Sequence, residues 1–293
     1  MTQPIQRRKI KYLNNHDLVK EINKSKMSYC WVAGDEFKEY DDIITKSIKV
    51  KSGKDTKHVY SNPSVQEIIT YIEYNLEEAK STRLNRINNS MVKNIQKALN
   101  ITAKKAEEFV GDNKMKTEDI KDSDVVFRVV TYEHIPDDIR DNNILHMIPF
   151  KHFTMVDGKL VEVARSHWKG DLETGNYDPD RGKITEPLAK MMIKLVTNYS
   201  NKSNYKYYSY VDEMVGAALL QLSRSALLFD EAKAGAYLNP FAYLTTICTN
   251  SFTSVLNKEK RSRDLRDDLL IEHGLAASNT RQLENELNIK ANQ

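Results

Sequence analysis

The chain lacks most features by which a membrane protein or a metal-binding protein is recognised from its sequence. Its 293 residues include two cysteines, Cys30 and Cys248, which lie far apart with no CxxC spacing. We therefore expect each thiol to pack in a core in a reducing cytosol rather than to bind a metal. No apolar run approaches the roughly 18 to 20 residues that cross a bilayer. The basic N-terminus is not followed by the apolar stretch of a secretory signal, so no membrane association is predicted.

Patterns typical of catalysis and cofactor binding are also missing. The ten glycines are scattered, and none of the motifs GxxxxGKS/T, GxGxxG or GxSxG occurs. The histidines show no HExxH or comparable ligand spacing, so no metal site is predicted. We expect no enzymatic activity, no catalytic residue and no cofactor.

Net charge is only +3, which excludes a bulk cationic excess as the basis of nucleic-acid binding. Any such surface must come from local segregation of charge. One such segregation follows residue 257, where five cationic residues occur within nine positions: Lys258, Lys260, Arg261, Arg263 and Arg266. Glu259 and Asp264 interrupt this run, and charge runs are usually a solvated face. Solvated surface and phosphate contact therefore both remain open.

Hydrophobic periodicity predicts a mainly helical chain with a small sheet in its middle. Asn15 is a candidate N-cap for a short helix, and residues 31–62 are predicted to be mostly irregular. Residues 64–109 carry the stripe of one long helix, or of two antiparallel helices if the chain bends near Asn88 and Asn89. A strand is expected within 124–132, and Asp157-Gly158 predicts a hairpin turn within 152–164. A turn-rich linker at 174–182 precedes further helices.

Three helices are predicted after this linker, at 186–200, 210–230 and from 239 onward. The second is apolar on more than one stripe, which indicates either a core position or a partner on a second side. In the third, Asn239 is a suitable N-cap and Pro240 a suitable first residue. Its apolar side is predicted to hold Phe241, Tyr243, Ile247, Phe252, Val255 and Leu256. Its polar, almost uncharged side is predicted to hold Thr245, Thr246, Thr249, Asn250, Thr253 and Ser254.

The sequences YVDEMVGAALLQLSRSALLFDEAK, NPFAYLTTICTNSF and NKEKR resemble region 2 of sigma-70-type transcription initiation factors. They are more closely similar to the late-transcription sigma factors of T-even-type bacteriophages. The similarity is specific over residues 184–268 and weak over 12–22. The long N-terminal body and the ending GLAASNTRQ resemble the versions found in phages of marine cyanobacteria.

This resemblance implies a sigma region 2-like helical domain at 174–268, a basic arm and short helix at 1–30, an α+β module at 31–173 and a tail at 269–293. It implies a phage-encoded factor, in the cytoplasm of the infected bacterium and on its nucleoid, that directs host RNA polymerase to late promoters. The second helix would bind the clamp helices of the polymerase's largest subunit through Asp212, Glu213, Gly216, Ala217, Leu220, Gln221 and Arg224. The third helix would read the -10 element through Tyr243, Thr246, Thr249, Asn250 and Thr253, with Tyr243 stacking on a flipped adenine. Phosphate contacts would come from Lys258, Lys260, Arg261 and Arg263.

The sequence departs from the family at several positions. The tryptophan pair that opens the duplex in primary sigma factors is replaced by Thr246 and Ile247, so weak unaided melting is expected. Nothing after residue 268 offers a second helix-turn-helix, so no -35 recognition is expected. In the T-even family a replication sliding clamp and a coactivator compensate for that loss. The apolar tail residues available here for a clamp are Leu283, Leu287 and Ile289.

A second class of protein fits the same residues. An adaptor or inhibitor would bind host polymerase through the helical block without reading promoter sequence. Salt-dependent DNA binding does not separate the two classes, because any basic segment produces it. Sequence-selective initiation with core polymerase separates them.

Overall fold

The computed structural model describes residues 14–52, 55–111, 114–141, 147–180, 182–234, 239–279 and 281–283. Over these residues the chain is mainly helical and contains a small five-stranded mixed sheet. The coarse fold class predicted from the sequence is therefore confirmed.

The chain divides into two compact units. The helical unit holds the described residues up to Leu18, Glu186–Ala226, and those from Asn239 onward. The mixed unit holds Val19–Thr185 and the described part of Leu227–Leu238. The four segments predicted from the sequence remain a prediction.

The described α-helices are α1 (Asn15–Lys26), α2 (Val65–Leu99), α3 (Ala103–Val110), α4 (Asp137–Asp141), α5 (Glu186–Ser200), α6 (Val211–Ser225), α7 (Glu231–Ala234) and α8 (Pro240–Glu272). The strands are β1 (Cys30–Val32), β2 (Asp42–Ile44), β3 (Ser47–Ser52), β4 (Asp55–Tyr60), β5 (Phe127–Val130), β6 (Phe150–Val156) and β7 (Lys159–Ser166). The five-stranded sheet has the order β1-β7-β6-β5-β2, and β3 and β4 form a separate two-stranded sheet. Strand β2 runs parallel to β5, whereas the other pairs are antiparallel.

The prediction that residues 31–62 are mostly irregular is wrong, because four strands occupy much of this region. Strands β1 and β2 have three residues each and lie at the two edges of the sheet. Their partners are distant in sequence, since Trp31 pairs with Arg165 and Ile43 pairs with Arg128. Three residues are too few to show an alternating pattern, so these strands are defined by their partners rather than by their own residues.

The stretch 64–109 forms two helices, but the break between them lies at residues 100–102 rather than near Asn88, because α2 is continuous over 35 residues and α3 begins at Ala103. Ser64 and Glu67 form a capping box at the start of α2, and Asn100 adopts a left-handed conformation at its end. No second helix begins near Asn88. Its side-chain amide instead makes two hydrogen bonds, 3.1 and 3.2 Å long, with the backbone of Met115. This side chain therefore anchors the chain that follows α3.

The Asp157-Gly158 hairpin is confirmed. Val156 pairs with Lys159, so the turn has two residues, and both adopt positive φ angles of 49° and 73°. Two successive positive φ angles define the type I′ turn, whose twist matches that of antiparallel strands. The hairpin forms the middle of the sheet, with β5 beside β6. Buried Phe127 and Val129 of β5 pack with Ile68 and Ile72 of α2.

A buried charged cluster lies in the mixed unit. The guanidinium of Arg128 is 4.0 Å from the ring centroids of both Tyr40 and Phe150. The Glu231 carboxylate is 3.9 Å from Lys26 Nζ and 3.9 Å from a guanidinium nitrogen of Arg128. Burial raises the pKa of Glu231, and burial lowers the pKa of Lys26 to about 8. The three side chains have little water around them, so the opposite charges of the cluster must offset the hydration that each one loses on burial.

One buried and one half-buried histidine of the mixed unit are held neutral. His152 Nε2 lies 3.0 Å from Arg128 Nε, and its Nδ1 lies 2.8 Å from the carbonyl oxygen of Phe37. Because arginine can only donate, Nε2 accepts and Nδ1 carries the proton. Burial, reinforced by Arg128, holds the pKa of His152 well below its ordinary value. Burial likewise lowers the pKa of His134 to about 2.

Candidate nucleic-acid interface

Helix α8 begins where the sequence predicts. The Asn239 side chain accepts a 2.9 Å hydrogen bond from the Ala242 N-H, and Pro240 occupies the first turn. Asn15 accepts a 3.1 Å bond from the Phe241 N-H. The prediction that Asn15 caps its own helix is wrong, because Asn14 accepts the 2.7 Å bond from the Asp17 N-H at the start of α1. Two amide side chains from different segments thus satisfy donors of the first turn of α8.

The buried stripe of α8 differs in part from the predicted apolar side. It is centred on Leu244, Cys248, Phe252 and Val255. Phe241 is 37% exposed, although the sequence places it on the apolar side. Phe252 contacts the rings of Tyr199 and Tyr205 edge-on, with centroids 5.1 and 5.0 Å away. The buried residues Leu244 and Cys248, together with this aromatic cluster, therefore fix the rotation of α8 about its axis.

An uncharged polar stripe is exposed on the opposite side of α8. Thr246, Asn250 and Thr253 are all exposed, at the i, i+4, i+7 spacing that places them in one row along the helix. Asn257 continues the row and is also exposed, although it is not among the residues predicted from the sequence to contact DNA. Its spacing of four residues from Thr253 is the signal that would have found it. We call these four residues the polar stripe.

Tyr243 and Thr249, the other two residues assigned to the -10 element, lie beside this stripe and are half-buried. The Tyr243 hydroxyl donates a 2.8 Å hydrogen bond to the Ser225 carbonyl at the end of α6. Burial raises its pKa. The Thr249 hydroxyl lies 2.8 Å from the Tyr199 hydroxyl and donates to the Thr245 carbonyl at 3.0 Å. Both hydroxyls therefore also bind within the helical unit.

The cationic run begins one residue after the polar stripe ends. Lys258, Lys260 and Arg261 are exposed, and Arg263 is half-buried. Lys258 Nζ lies 3.3 Å from a Glu213 oxygen, and an Arg263 nitrogen lies 3.4 Å from an Asp264 oxygen. Within the described ranges, no ion-pair or hydrogen-bond partner is present for the side chain of Lys260 or Arg261. These two cations, which are i+3 and i+4 from Asn257, extend the same row.

Helix α6 runs antiparallel to α8, because Glu213 near its start meets Lys258 and Ser225 at its end meets Tyr243. Its buried stripe is Met214, Ala218 and Leu222. The residues assigned to polymerase binding share its other side: Asp212, Glu213, Gly216, Leu220, Gln221 and Arg224 are exposed, and Ala217 is half-buried. Leu220 is 53% exposed, so the described residues do not fully cover the second apolar stripe predicted for this helix.

Helix α8 ends at Glu272, and Gly274, two residues further on, has a left-handed φ of 73°. The following chain returns to the helix, where Ser278 binds the Asp267 carboxylate through its N-H at 3.1 Å and its hydroxyl at 2.6 Å. Of the tail residues considered for clamp binding, Leu283 is 59% exposed. Leu287 and Ile289 lie outside the described residues, as does the basic arm before residue 14.

Two further properties concern the described part of the chain as a whole. No three His, Cys, Asp or Glu side chains there are grouped as metal ligands would be. None of its helices combines the length and the apolar character needed to span a bilayer.

Comparison with models of known protein families, with curated proteins and with solved structures found no match to the chain.

Proposed function

We propose that this protein is a phage-encoded sigma factor that binds the core of the host RNA polymerase and directs it to late promoters. The proposal places it in the cytoplasm of the infected bacterium. It reads the -10 element through α8. The observation that carries the proposal is the single exposed row on α8, in which the polar stripe leads directly into Lys260 and Arg261.

The chemistry of this row suits promoter DNA. Threonine hydroxyls and asparagine amides bind base edges and can both donate and accept hydrogen bonds. Lysine and arginine bind phosphates, which sets the position of a protein on DNA without reading sequence. Asn250 and Thr253 are the proposed base-reading centre, and Lys260 and Arg261 are the proposed phosphate contacts. Tyr243 presents a half-buried ring beside them for an unpaired base.

The exposed side of α6 is the proposed surface for the clamp helices of the polymerase's largest subunit. A leucine that is 53% exposed, surrounded by exposed Glu213, Gln221 and Arg224, has the apolar centre and polar rim typical of a protein interface. A phage sliding clamp and a late coactivator are proposed as further partners.

One observation favours the second candidate, an adaptor or inhibitor that binds polymerase without reading promoters. The hydroxyls of Tyr243 and Thr249 are engaged inside the helical unit, which reduces the groups free to read bases. The exposed side of α6 fits both candidates equally, because both require polymerase binding.

Run-off transcription with bacterial core polymerase tests the proposal. Templates should carry a TATAAATA-like -10 octamer or a scrambled one, each as duplex and as premelted bubble. Initiation that depends on the octamer, on either template, is expected for a sigma factor. Binding to core polymerase without selective initiation on any template would assign the protein to the second class.

Matched variants locate the two surfaces. Asn250→Ala should reduce discrimination between octamer and scrambled bubble by about tenfold, the scale of one base-edge contact. Asn94→Ala, which removes another exposed amide, from α2, should leave discrimination unchanged. Leu220→Asp should weaken core binding, whereas Leu99→Asp, at a leucine that is 52% exposed on α2, should not. Equal effects of both leucine variants would contradict the assignment of α6.

A further inference from the structure

The loop between α5 and α6 presents aromatic rings to solvent. Its sequence over 201–210 is NKSNYKYYSY, with four tyrosines and two lysines. Tyr207 is 80% exposed and Tyr208 is 41% exposed. Rings of this size normally bury most of their surface, so an outward pair in one loop requires an explanation other than packing. We call residues 201–210 the tyrosine loop.

The tyrosine loop is an ordered series of turns. The Tyr205 N-H donates to the Lys202 carbonyl at 2.9 Å, the Tyr208 N-H to the Tyr205 carbonyl at 3.1 Å, and the Val211 N-H to the Tyr208 carbonyl at 3.2 Å. Tyr205 also stacks on Tyr199, with centroids 5.4 Å apart, and packs against Phe252 of α8. The exposed rings are thus held in place by a backbone that is hydrogen-bonded and anchored in the core of the helical unit.

Positive charge accompanies the rings. Lys206 Nζ lies 4.5 Å from the Tyr207 ring centroid, and Lys202 Nζ lies 4.0 Å from that of Tyr199. No acidic residue occurs from 187 to 211. Lysine is depleted from the centres of protein–protein interfaces, whereas cations beside exposed aromatic rings are typical of surfaces that bind single-stranded nucleic acid. The composition therefore favours a nucleic acid over a protein partner.

The loop lies beside the cationic end of α8. Because α6 runs antiparallel to α8 and pairs Glu213 with Lys258, the residues just before α6 meet the part of α8 after residue 258. Tyr210 confirms this placement, since its pKa, which is raised by burial and by Tyr208, also responds to the charges of Glu259 and Arg263. Tyr208 adjoins Tyr210, with ring centroids 5.1 Å apart, so the tyrosine loop lies next to Arg263 at the cationic end of α8.

We infer that the tyrosine loop, with the adjacent cations of α8, is a binding site for single-stranded DNA, in which Tyr207 and Tyr208 stack on unpaired bases and lysines neutralise the phosphates. The inference rests on the proposed function only for the source of the strand, which would be the melted promoter. Binding by the isolated protein does not require polymerase or an octamer. The site is sequence-tolerant, because every base offers a face for stacking.

Fluorescence anisotropy with the full-length protein and a labelled oligo-dT of about ten nucleotides tests this site, with a hairpin duplex of similar charge as the comparison. Replacing Tyr207 and Tyr208 together with alanine should weaken binding of the single strand at least tenfold, on the order of one lost stacking contact. Duplex affinity should stay within about twofold, because phosphate contacts remain. The double phenylalanine variant should restore single-strand binding.

Tyr74→Ala is the matched control, since this tyrosine of α2 is 89% exposed and belongs to the mixed unit. It should leave both affinities unchanged. Unchanged single-strand binding in the double alanine variant, an equal loss on duplex, or an equal loss in the Tyr74 variant would overturn the site. Tighter binding of oligo-rU than of oligo-dT would overturn the assignment to DNA. None of these results depends on whether the protein initiates transcription, so the two proposals fail separately.

Discussion

Tyr243 provides a test in which the hydroxyl and the ring have different roles. Its hydroxyl donates a 2.8 Å hydrogen bond to the Ser225 carbonyl and so joins α8 to the end of α6. Its ring is half-buried and lies beside the polar stripe. Tyr243→Phe removes the hydroxyl and keeps the ring, whereas Tyr243→Ala removes both. Comparison of the two variants therefore separates the stability of the helical unit from the capture of a base.

The stability changes follow from these contacts. Loss of one neutral hydrogen bond costs about 1 kcal/mol, so Tyr243→Phe should lower the free energy of unfolding by that amount. Truncation of a fully buried aromatic ring costs about 3 to 5 kcal/mol. Because the Tyr243 ring is only half-buried, Tyr243→Ala should lower the free energy by roughly 2 kcal/mol through the ring, in addition to the hydrogen bond.

The effect on transcription should follow the ring alone. Stacking of an unpaired base on an aromatic ring contributes about 1 to 3 kcal/mol, which corresponds to roughly fivefold to 150-fold in occupancy. Tyr243→Ala should therefore reduce initiation on duplex templates within that range. On a premelted bubble the loss should be much smaller, because the base no longer has to be captured as the duplex opens. Tyr243→Phe should retain activity on both templates.

Urea unfolding followed by circular dichroism measures the first effect, and run-off transcription on duplex and bubble templates measures the second. Transcription should be assayed at a temperature where both variants are folded. Equal losses on duplex and bubble would refute a role in capturing the melted base. A Phe variant as inactive as the Ala variant would assign the function to the hydroxyl, and the stacking argument would fail.

Three further predictions concern charge. Lys260→Ala should weaken promoter complexes across sequences and reduce the salt slope of binding by about one unit. Glu231→Gln should lower the free energy of unfolding by about 3 kcal/mol, since two buried cations lose their carboxylate, as measured by urea denaturation. Stability should fall as pH drops below about 6.5, because the unfolded chain protonates His134 and His152 while their lowered folded pKa values keep them neutral. The His152→Gln variant should show a shallower acid dependence in thermal unfolding.

Control variants and opposite outcomes distinguish these specific effects from nonspecific effects of substitution. Lys97→Ala removes an exposed lysine from α2 and should leave the salt slope unchanged. For Glu231, a variant as stable as the parent would show that the buried cations do not need the carboxylate. For the histidines, the direction of the pH dependence is fixed. The free energy of unfolding is highest above the histidine pKa of the unfolded chain and falls as the pH drops below that value. A parent protein that becomes more stable between about pH 7 and pH 5 would contradict the neutral assignment.

Some parts of the structure follow from residues close together in the sequence. The start of α8 is determined by Asn239 and Pro240, because a cap requires only a side-chain oxygen and a first turn. The β6–β7 hairpin is determined by Asp157 and Gly158, whose tolerance of positive φ selects the turn and with it the register. These interactions span four residues or fewer, so the sequence by itself specifies them.

Other parts depend on contacts between distant residues, and only the tertiary structure decides them. The edge strands β1 and β2 are formed by pairing with strands more than 80 residues away in the sequence. Asn15 accepts a hydrogen bond from the first turn of α8 and does not cap its own helix. Packing of Phe252 on the tyrosine cluster sets the rotation of α8. That rotation exposes Thr246, Asn250 and Thr253 and leaves Thr249 half-buried. Periodicity identifies the sides of a helix, but the neighbours that cover a side determine which of its polar groups can reach a ligand.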